Sequence, residues 1–247
     1  MSDRLVPIDE TDPPGSRFDS IIECALVALL LFLPLALGTV HAWSEFAYIA
    51  ATGGIALCFA LKLLVHRDVR FVWTWAYVPI ALLILLAVLQ LIPLPTGLVR
   101  AISPNTAAMK TQLLGDGAGP ATSAMTLSFY TNATRHDLRL LLAAAVVFVV
   151  VLNVYRRPDQ VKRLLGAVAV IGGGIALLAL AQDLFGNGKI YWTVPTHGNI
   201  AASGPFICHS HYGQFMNLSI GAGLGLLLVK LHESFRHGPV TLPDVIE

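Results

Sequence analysis

Residues 138–182 read LRLLLAAAVVFVVVLNVY (138–155), RRPDQVKR (156–163) and LLGAVAVIGGGIALLALAQ (164–182), two apolar runs joined by eight residues of which four are basic. Each run is close to the roughly 20 residues that, at 1.5 Å rise per residue, carry a helix across about 30 Å of hydrocarbon. Their interiors are nearly free of charge, as insertion requires when a Lys, Arg or Asp at a helix centre costs about 2.5–3.5 kcal/mol. The basic cluster Arg156, Arg157, Lys162 and Arg163 resists translocation, so the sequence predicts a membrane hairpin with its connection in the cytoplasm.

Working outward, four more runs of the same kind appear: Ile21 to Val40, Phe46 to Val65, Trp75 to Ile92 and Tyr212 to Leu231. The whole chain of 247 residues is 55% hydrophobic and 13% charged, against roughly 45–50% and about 25% in a soluble domain. Too little charge is present to cover a water-soluble surface of this size. The expectation is an all-α bundle of six transmembrane helices spanning residues 21–232, because a chain in lipid must satisfy its backbone internally. With the N-terminus inside, eleven basic residues fall on the cytoplasmic side, among them Arg17, Lys62, Arg67, Arg70 and Lys230. Five fall outside: Arg100, Lys110, Arg135, Arg139 and Lys189. Both termini are therefore expected in the cytoplasm. Trp43, Trp73, Trp75, Tyr77, Tyr155, Tyr191, Trp192 and Tyr212 lie at or near run ends, where aromatic rings settle at headgroup level.

The polar, proline-bearing residues 1–20 read as a disordered cytoplasmic tail and residues 233–247 as a second tail. Val40-His41-Ala42 loosely matches a leader cleavage site, but the run before it is long for a signal core and its flank is acidic, so it is read as a retained span. The formal net charge of +1 gives no field that would attract nucleic acid. Cys24, Cys58 and Cys208 are an odd, scattered set and imply no disulfide framework.

Two outer loops are long enough to carry chemistry, 93–137 and 183–211. The first holds the helix-breaking stretch Gly115-Asp116-Gly117-Ala118-Gly119-Pro120, and the second opens on the turn signal Phe185-Gly186-Asn187-Gly188. Thr196-His197-Gly198-Asn199, followed by Ser203-Gly204-Pro205-Phe206-Ile207-Cys208-His209-Ser210-His211-Tyr212, is the densest polar cluster and runs into the last span. Such a segment at the mouth of a bundle suits the head of a lipid-linked substrate; the plain alternative is a loop of solvated histidines. Imidazole and thiolate suit zinc or copper, but the spacing of His197, Cys208, His209 and His211 fits none of the standard zinc patterns, and neither metal nor cofactor is expected. Gly172-Gly173-Gly174 and Gly221, Gly223 and Gly225 follow no strand, so they are no phosphate loop. Gly221 and Gly225, four apart, predict a close helix contact on their face. Asn132-Ala133-Thr134 and Asn217-Leu218-Ser219 fit a glycosylation sequon, a pattern short enough to arise by chance.

Three stretches, Leu91-Ile92-Pro93-Leu94-Pro95, Leu127-Ser128-Phe129-Tyr130 to Ala133-Thr134-Arg135, and Ser203-Gly204-Pro205-Phe206 to His211-Tyr212, resemble the bacterial O-antigen ligase and O-antigen polymerase family, in the order of that family's N-terminal half. The resemblance implies a multi-pass protein of the bacterial inner membrane that handles glycan linked to undecaprenyl diphosphate at the periplasmic face. It makes Arg135, His197, His209, His211 and Tyr212 the substrate-binding candidates. The family's last motif commonly reads Gly-Pro-Phe-Val-Asn-Arg-Asn-His-Phe; here Cys208-His209-Ser210 replaces Asn-Arg-Asn, and a histidine is a weaker, pH-dependent substitute for a phosphate-binding arginine. Family members also carry a C-terminal half with further spans and a catalytic histidine. The expectation is therefore a split or truncated gene product, or a second membrane chain supplying that half, with no catalytic residue named in this one. The alternatives are a non-catalytic remnant or assembly partner, and a transporter half, which calls for ionisable residues inside the spans.

Overall fold

The computed structural model describes residues 17–66, 71–114, 124–195 and 203–237. In chain order the helices are α1 (Arg17–Leu35), α2 (Ala42–Val65), α3 (Tyr77–Leu91), α4 (Thr96–Ile102), α5 (Pro104–Leu114), α6 (Thr131–Val154), α7 (Pro158–Phe185) and α8 (His209–His237). Two small antiparallel pairs accompany them: β1 (Pro93–Pro95) with β2 (Ala124–Thr126), and β3 (Lys189–Ile190) with β4 (Val194–Pro195). Among the described residues α1, α2, α6, α7 and α8 are each long and apolar enough to cross a membrane. The protein is an all-α, multi-pass membrane protein.

The third expected span is shorter than the others. α3 has 15 residues, roughly 22 Å of helix, because a turn closed by Tyr77 N–H on the Thr74 carbonyl (3.2 Å) precedes it and Ile92, forced extended by Pro93, ends it. The segment expected to be loop at 93–137 instead holds two helices and a strand pair, and α6 starts within it at Thr131, so Arg135 is helical. Residues 17–20 begin α1 rather than ending a tail, and α8 runs through to His237. His197, the Gly115–Pro120 stretch and the two tails at 1–16 and 238–247 lie outside the described residues.

The chain divides into two compact units, Met1–Arg67 with Val150–Glu247, and Asp68–Val149. In the first, charged side chains fix how the helices run. Asp19 at the start of α1 pairs with Lys62 at the end of α2, and both are nearly buried. One turn further on, Glu23 accepts from Gln160 Nε2 (2.6 Å) and Arg163 (2.9 Å) at the start of α7. Lys162 on the same turn reaches Glu233 near the end of α8 (2.5 Å). Gln160 also caps α7, its Oε1 accepting from Arg156 N–H (3.2 Å) and Arg157 N–H (3.1 Å) ahead of Pro158. The four helices thus alternate in direction, and Lys62, Arg156, Arg157, Lys162 and Arg163 collect at one end, which the positive-inside rule makes cytoplasmic. Just past α6, burial together with the nearby Glu23 carboxylate pushes the Tyr155 phenol up to about 12.

The glycines that bring α7 and α8 together are not the expected pair. Gly221 and Gly225 face open space, so a side chain there would meet nothing within 4 Å. The contact is made by Gly172 against Ser219, with Gly223 near Ala169; Ser219 and Ala222 are buried there. Positions 219, 222 and 223 share one stripe of α8, while 221 lies about 160–200° round the helix from 219 and 223.

In the second unit, Val99, Ala107 and Met125 form a core of their own, with Leu94 and Leu127 packed on it. Lys110 crosses this core's edge and spends its ammonium hydrogens on the Thr126 carbonyl (2.6 Å), Thr126 Oγ1 (2.9 Å) and the Ser128 carbonyl (2.7 Å). Ser128 N–H donates to the Gln90 carbonyl (2.9 Å), which ties the strand pair to the last turn of α3. Tyr77 gathers Phe71, Trp73 and Phe148 around its ring.

Candidate functional site

At the end of the first unit opposite its charged pairs, the chain is held in conformations that L-residues seldom adopt. Pro34 closes α1, and Leu37 (φ 58°), Gly38 (φ 69°) and Thr39 (φ 61°) then form a left-handed turn. A β-branched residue at positive φ is an outlier that its surroundings must maintain. Three contacts do so by using the carbonyls left over at the helix end. Thr39 Oγ1 donates to Leu33 (3.0 Å), Thr39 N–H to Ala36 (3.0 Å), and the Tyr191 hydroxyl to Leu35 (2.6 Å). Tyr191 and Trp192 also have positive φ, in the turn joining β3 and β4. That turn is pinned by Trp192 Nε1 donating to Phe185 (2.9 Å) and Asn187 Nδ2 to Trp192 (3.1 Å).

The segment Ser203-Gly204-Pro205-Phe206 is wholly buried against this frame. It is a tight turn, closed by Phe206 N–H on the Ser203 carbonyl (3.1 Å) and by Ser203 Oγ on the Phe206 carbonyl (2.8 Å). Gly204 takes φ 58°, and a Cβ there would lie 3.1 Å from that of Ala179 on α7. The Phe206 ring lies over Gly38, where a Cβ would come within 3.0 Å of it. Gln182, with its amide turned so that each end meets a complementary group, donates to the Gly204 carbonyl (2.8 Å) and accepts from Tyr191 N–H (2.6 Å). Phe206 then holds Tyr212 edge-on (6.0 Å) and Phe215 (5.8 Å), which fixes the first turns of α8.

Three of the sequence candidates, His209, His211 and Tyr212, lie beside this platform at the start of α8. Tyr212 is half-buried on Phe206; His209 and His211 are exposed on the first turn of α8, and neither imidazole has a partner among the described residues. Two residues apart on a helix, they project some 200° from each other and do not converge on one point. Arg135 belongs to the second unit, exposed in the second turn of α6 and without a side-chain partner among the described residues. No three His, Cys, Asp or Glu side chains gather to hold a metal ion among the described residues. The sequence reading missed Gln182, Tyr191 and Gly38. Only the Pro34 to Gly38 spacing inside an apolar run signalled a break there.

Cys208 occupies the cap position of α8. The backbone N–H groups of His211 and Ser210, directed at its sulfur, hold the thiol below the usual cysteine range. Thiolate is the reactive form, so the pH at which alkylation by iodoacetamide is half-maximal should be lower for Cys208 than for free cysteine. A midpoint at or above that of free cysteine, measured on the Cys24→Ser, Cys58→Ser protein, counts against the cap.

Comparison of the chain with protein-family profiles, curated proteins and solved structures gives no match.

Proposed function

We propose that this chain is an O-antigen ligase-like or polymerase-like protein of the bacterial inner membrane, binding glycan linked to undecaprenyl diphosphate at the periplasmic face. The observation that carries the reading is where the third resembling stretch falls. Gly204, Pro205 and Phe206 are the buried turn, and Tyr212 packs on it, with His211 exposed beside it, at the mouth of a spanning helix. A rigid base with basic side chains at headgroup depth suits a diphosphate leaving group, whose departure from the anomeric carbon such charges stabilise as an acceptor hydroxyl attacks. In this reading His209, His211 and His197 act from one segment, Arg135 is a separate contact on α6, and a second membrane chain acts with this one.

A second reading, an assembly partner that holds the carrier without performing transfer, is favoured by one feature. His209 and His211 diverge, and neither is set against a carboxylate among the described residues, so neither is arranged as a general base. Complementation of a glycan-assembly defect by the full chain with its partner tests the binding role. Arg135→Ala and His211→Ala should each abolish complementation at unchanged protein abundance. Full complementation by both rules out the assigned residues.

A further inference from the structure

In the second unit, α4 and α5 carry exposed apolar side chains that their packing inside the unit does not use up. Val99 and Ala107 turn into the small core. On another side, Leu98 (45% exposed) and Ile102 (58%) stand one turn apart on α4, and Met109 (52%) and Leu113 (70%) one turn apart on α5. Arg100 from α4, with Pro104, Ala108, Thr111 and Gln112 from α5, lines an open groove of about 560 Å³. At 100° per residue, Arg100 lies about 160–200° round α4 from Leu98 and Ile102, and Thr111 a similar angle round α5 from Met109 and Leu113. Arg100 and Thr111 thus line the groove, and each apolar pair faces away from them on its own helix. Arg100 and Lys110 are the charged side chains among the described residues of 93–130, and acidic ones are absent there.

What covers the apolar side follows from how the hairpin is attached. β1 begins two residues after α3 ends and β2 ends five residues before α6 begins. The Ser128 to Gln90 bond fixes the strand pair to the end of α3 itself. The hairpin is therefore held at the membrane boundary by both of its ends. Phe129 and Tyr130, exposed at the entry to α6, are the ring types that mark headgroup depth.

We infer that the α4–α5 hairpin is an interfacial element, with Leu98, Ile102, Met109 and Leu113 sunk into the lipid surface and the Arg100–Thr111 groove open to water. Its occupant is the bilayer itself, continuous with the lipid that surrounds α3 and α6. Helices of this kind bury their apolar side about 5–10 Å below the headgroups.

The test uses the full chain with Cys24, Cys58 and Cys208 changed to serine, in phosphatidylcholine vesicles. A single cysteine is introduced by Leu98→Cys, Ile102→Cys or Leu113→Cys, with Thr111→Cys for the groove side, and carries an environment-sensitive fluorophore. Probes at 98, 102 and 113 should be quenched by nitroxide placed at the lipid carbonyl level, and iodide should quench them at least about threefold less than the probe at 111. Equal iodide quenching at all four sites overturns the inference. So does shielding of 98, 102 and 113 from both quenchers, which would mean that a second copy or another protein covers them. If a labelled variant does not fold, the unaltered chain is irradiated with a phospholipid bearing a diazirine near its glycerol. Adducts should map to residues 98–113, and their absence there overturns the inference equally.

Discussion

Gly172→Leu should separate α7 from α8 and cause the largest loss of stability of any single change in the spans, while Gly221→Leu should leave the protein as it was. A Cβ on residue 172 would lie 2.2 Å from Ser219 Cβ and 2.3 Å from its Oγ, far inside contact distance. Ser219 has little room to give, since it is buried and its hydroxyl donates to the Phe215 carbonyl (2.9 Å). The helices must therefore part, and in lipid no hydrophobic drive compensates for the lost packing. Even alanine at 172 should cost about 1–3 kcal/mol, and leucine more. Thermal unfolding in detergent reads this as a lowered Tm for Gly172→Ala and a larger fall for Gly172→Leu. The opposite ranking, with Gly221→Leu the more damaging, would show that α8 presents its other face.

Asp19→Ala should be nearly as costly for a different reason. It leaves the Lys62 ammonium, whose side chain is 8% exposed, without its carboxylate in apolar surroundings. Removing one member of a buried ion pair costs about 3–5 kcal/mol, whereas replacing both with apolar groups is often neutral. Membrane abundance and Tm should thus fall for Asp19→Ala and recover largely in Asp19→Leu with Lys62→Met. Glu23→Gln should be milder, because the Arg163 side chain opposite it is 61% exposed and keeps its hydration. A neutral Asp19→Ala, or a double variant no better than the single, contradicts a buried pair.

The parts of this fold legible from the sequence are those the bilayer dictates. Runs such as 138–155 and 164–182 must be apolar and near 20 residues, and Arg156 to Arg163 must stay behind, so composition alone locates them. Which side of a helix meets a neighbour is not dictated in that way. Gly221 and Gly225 have the right spacing for a contact, yet Gly172 and Ser219 make it, because spacing tells which residues share a side but not what lies opposite. The short helices α4 and α5 escaped notice since their stability comes from Val99, Ala107 and Met125 packing together rather than from propensity. At the candidate site the polar residues were visible but their arrangement was not. The start of α8 was hidden because cysteine is not among the usual capping residues, and without that start the divergence of His209 and His211 could not be seen. Contacts such as Gln182 to Gly204, or Tyr191 to Leu35, depend on distant segments meeting and leave no local mark.

The left-handed turn after Pro34 also sets an order of events during biosynthesis. The hydroxyl that secures the Leu35 carbonyl belongs to Tyr191, 156 residues further along the chain. The ring that lies over Gly38 is that of Phe206, made later still. When the first helical hairpin leaves the ribosome and enters the bilayer, neither exists, and the turn is held only by the contacts of Thr39 with the Leu33 and Ala36 carbonyls. α1 and α2 therefore enter with a pliable connection, and that end of the unit sets into its final shape only after the residues preceding α8 have been translated.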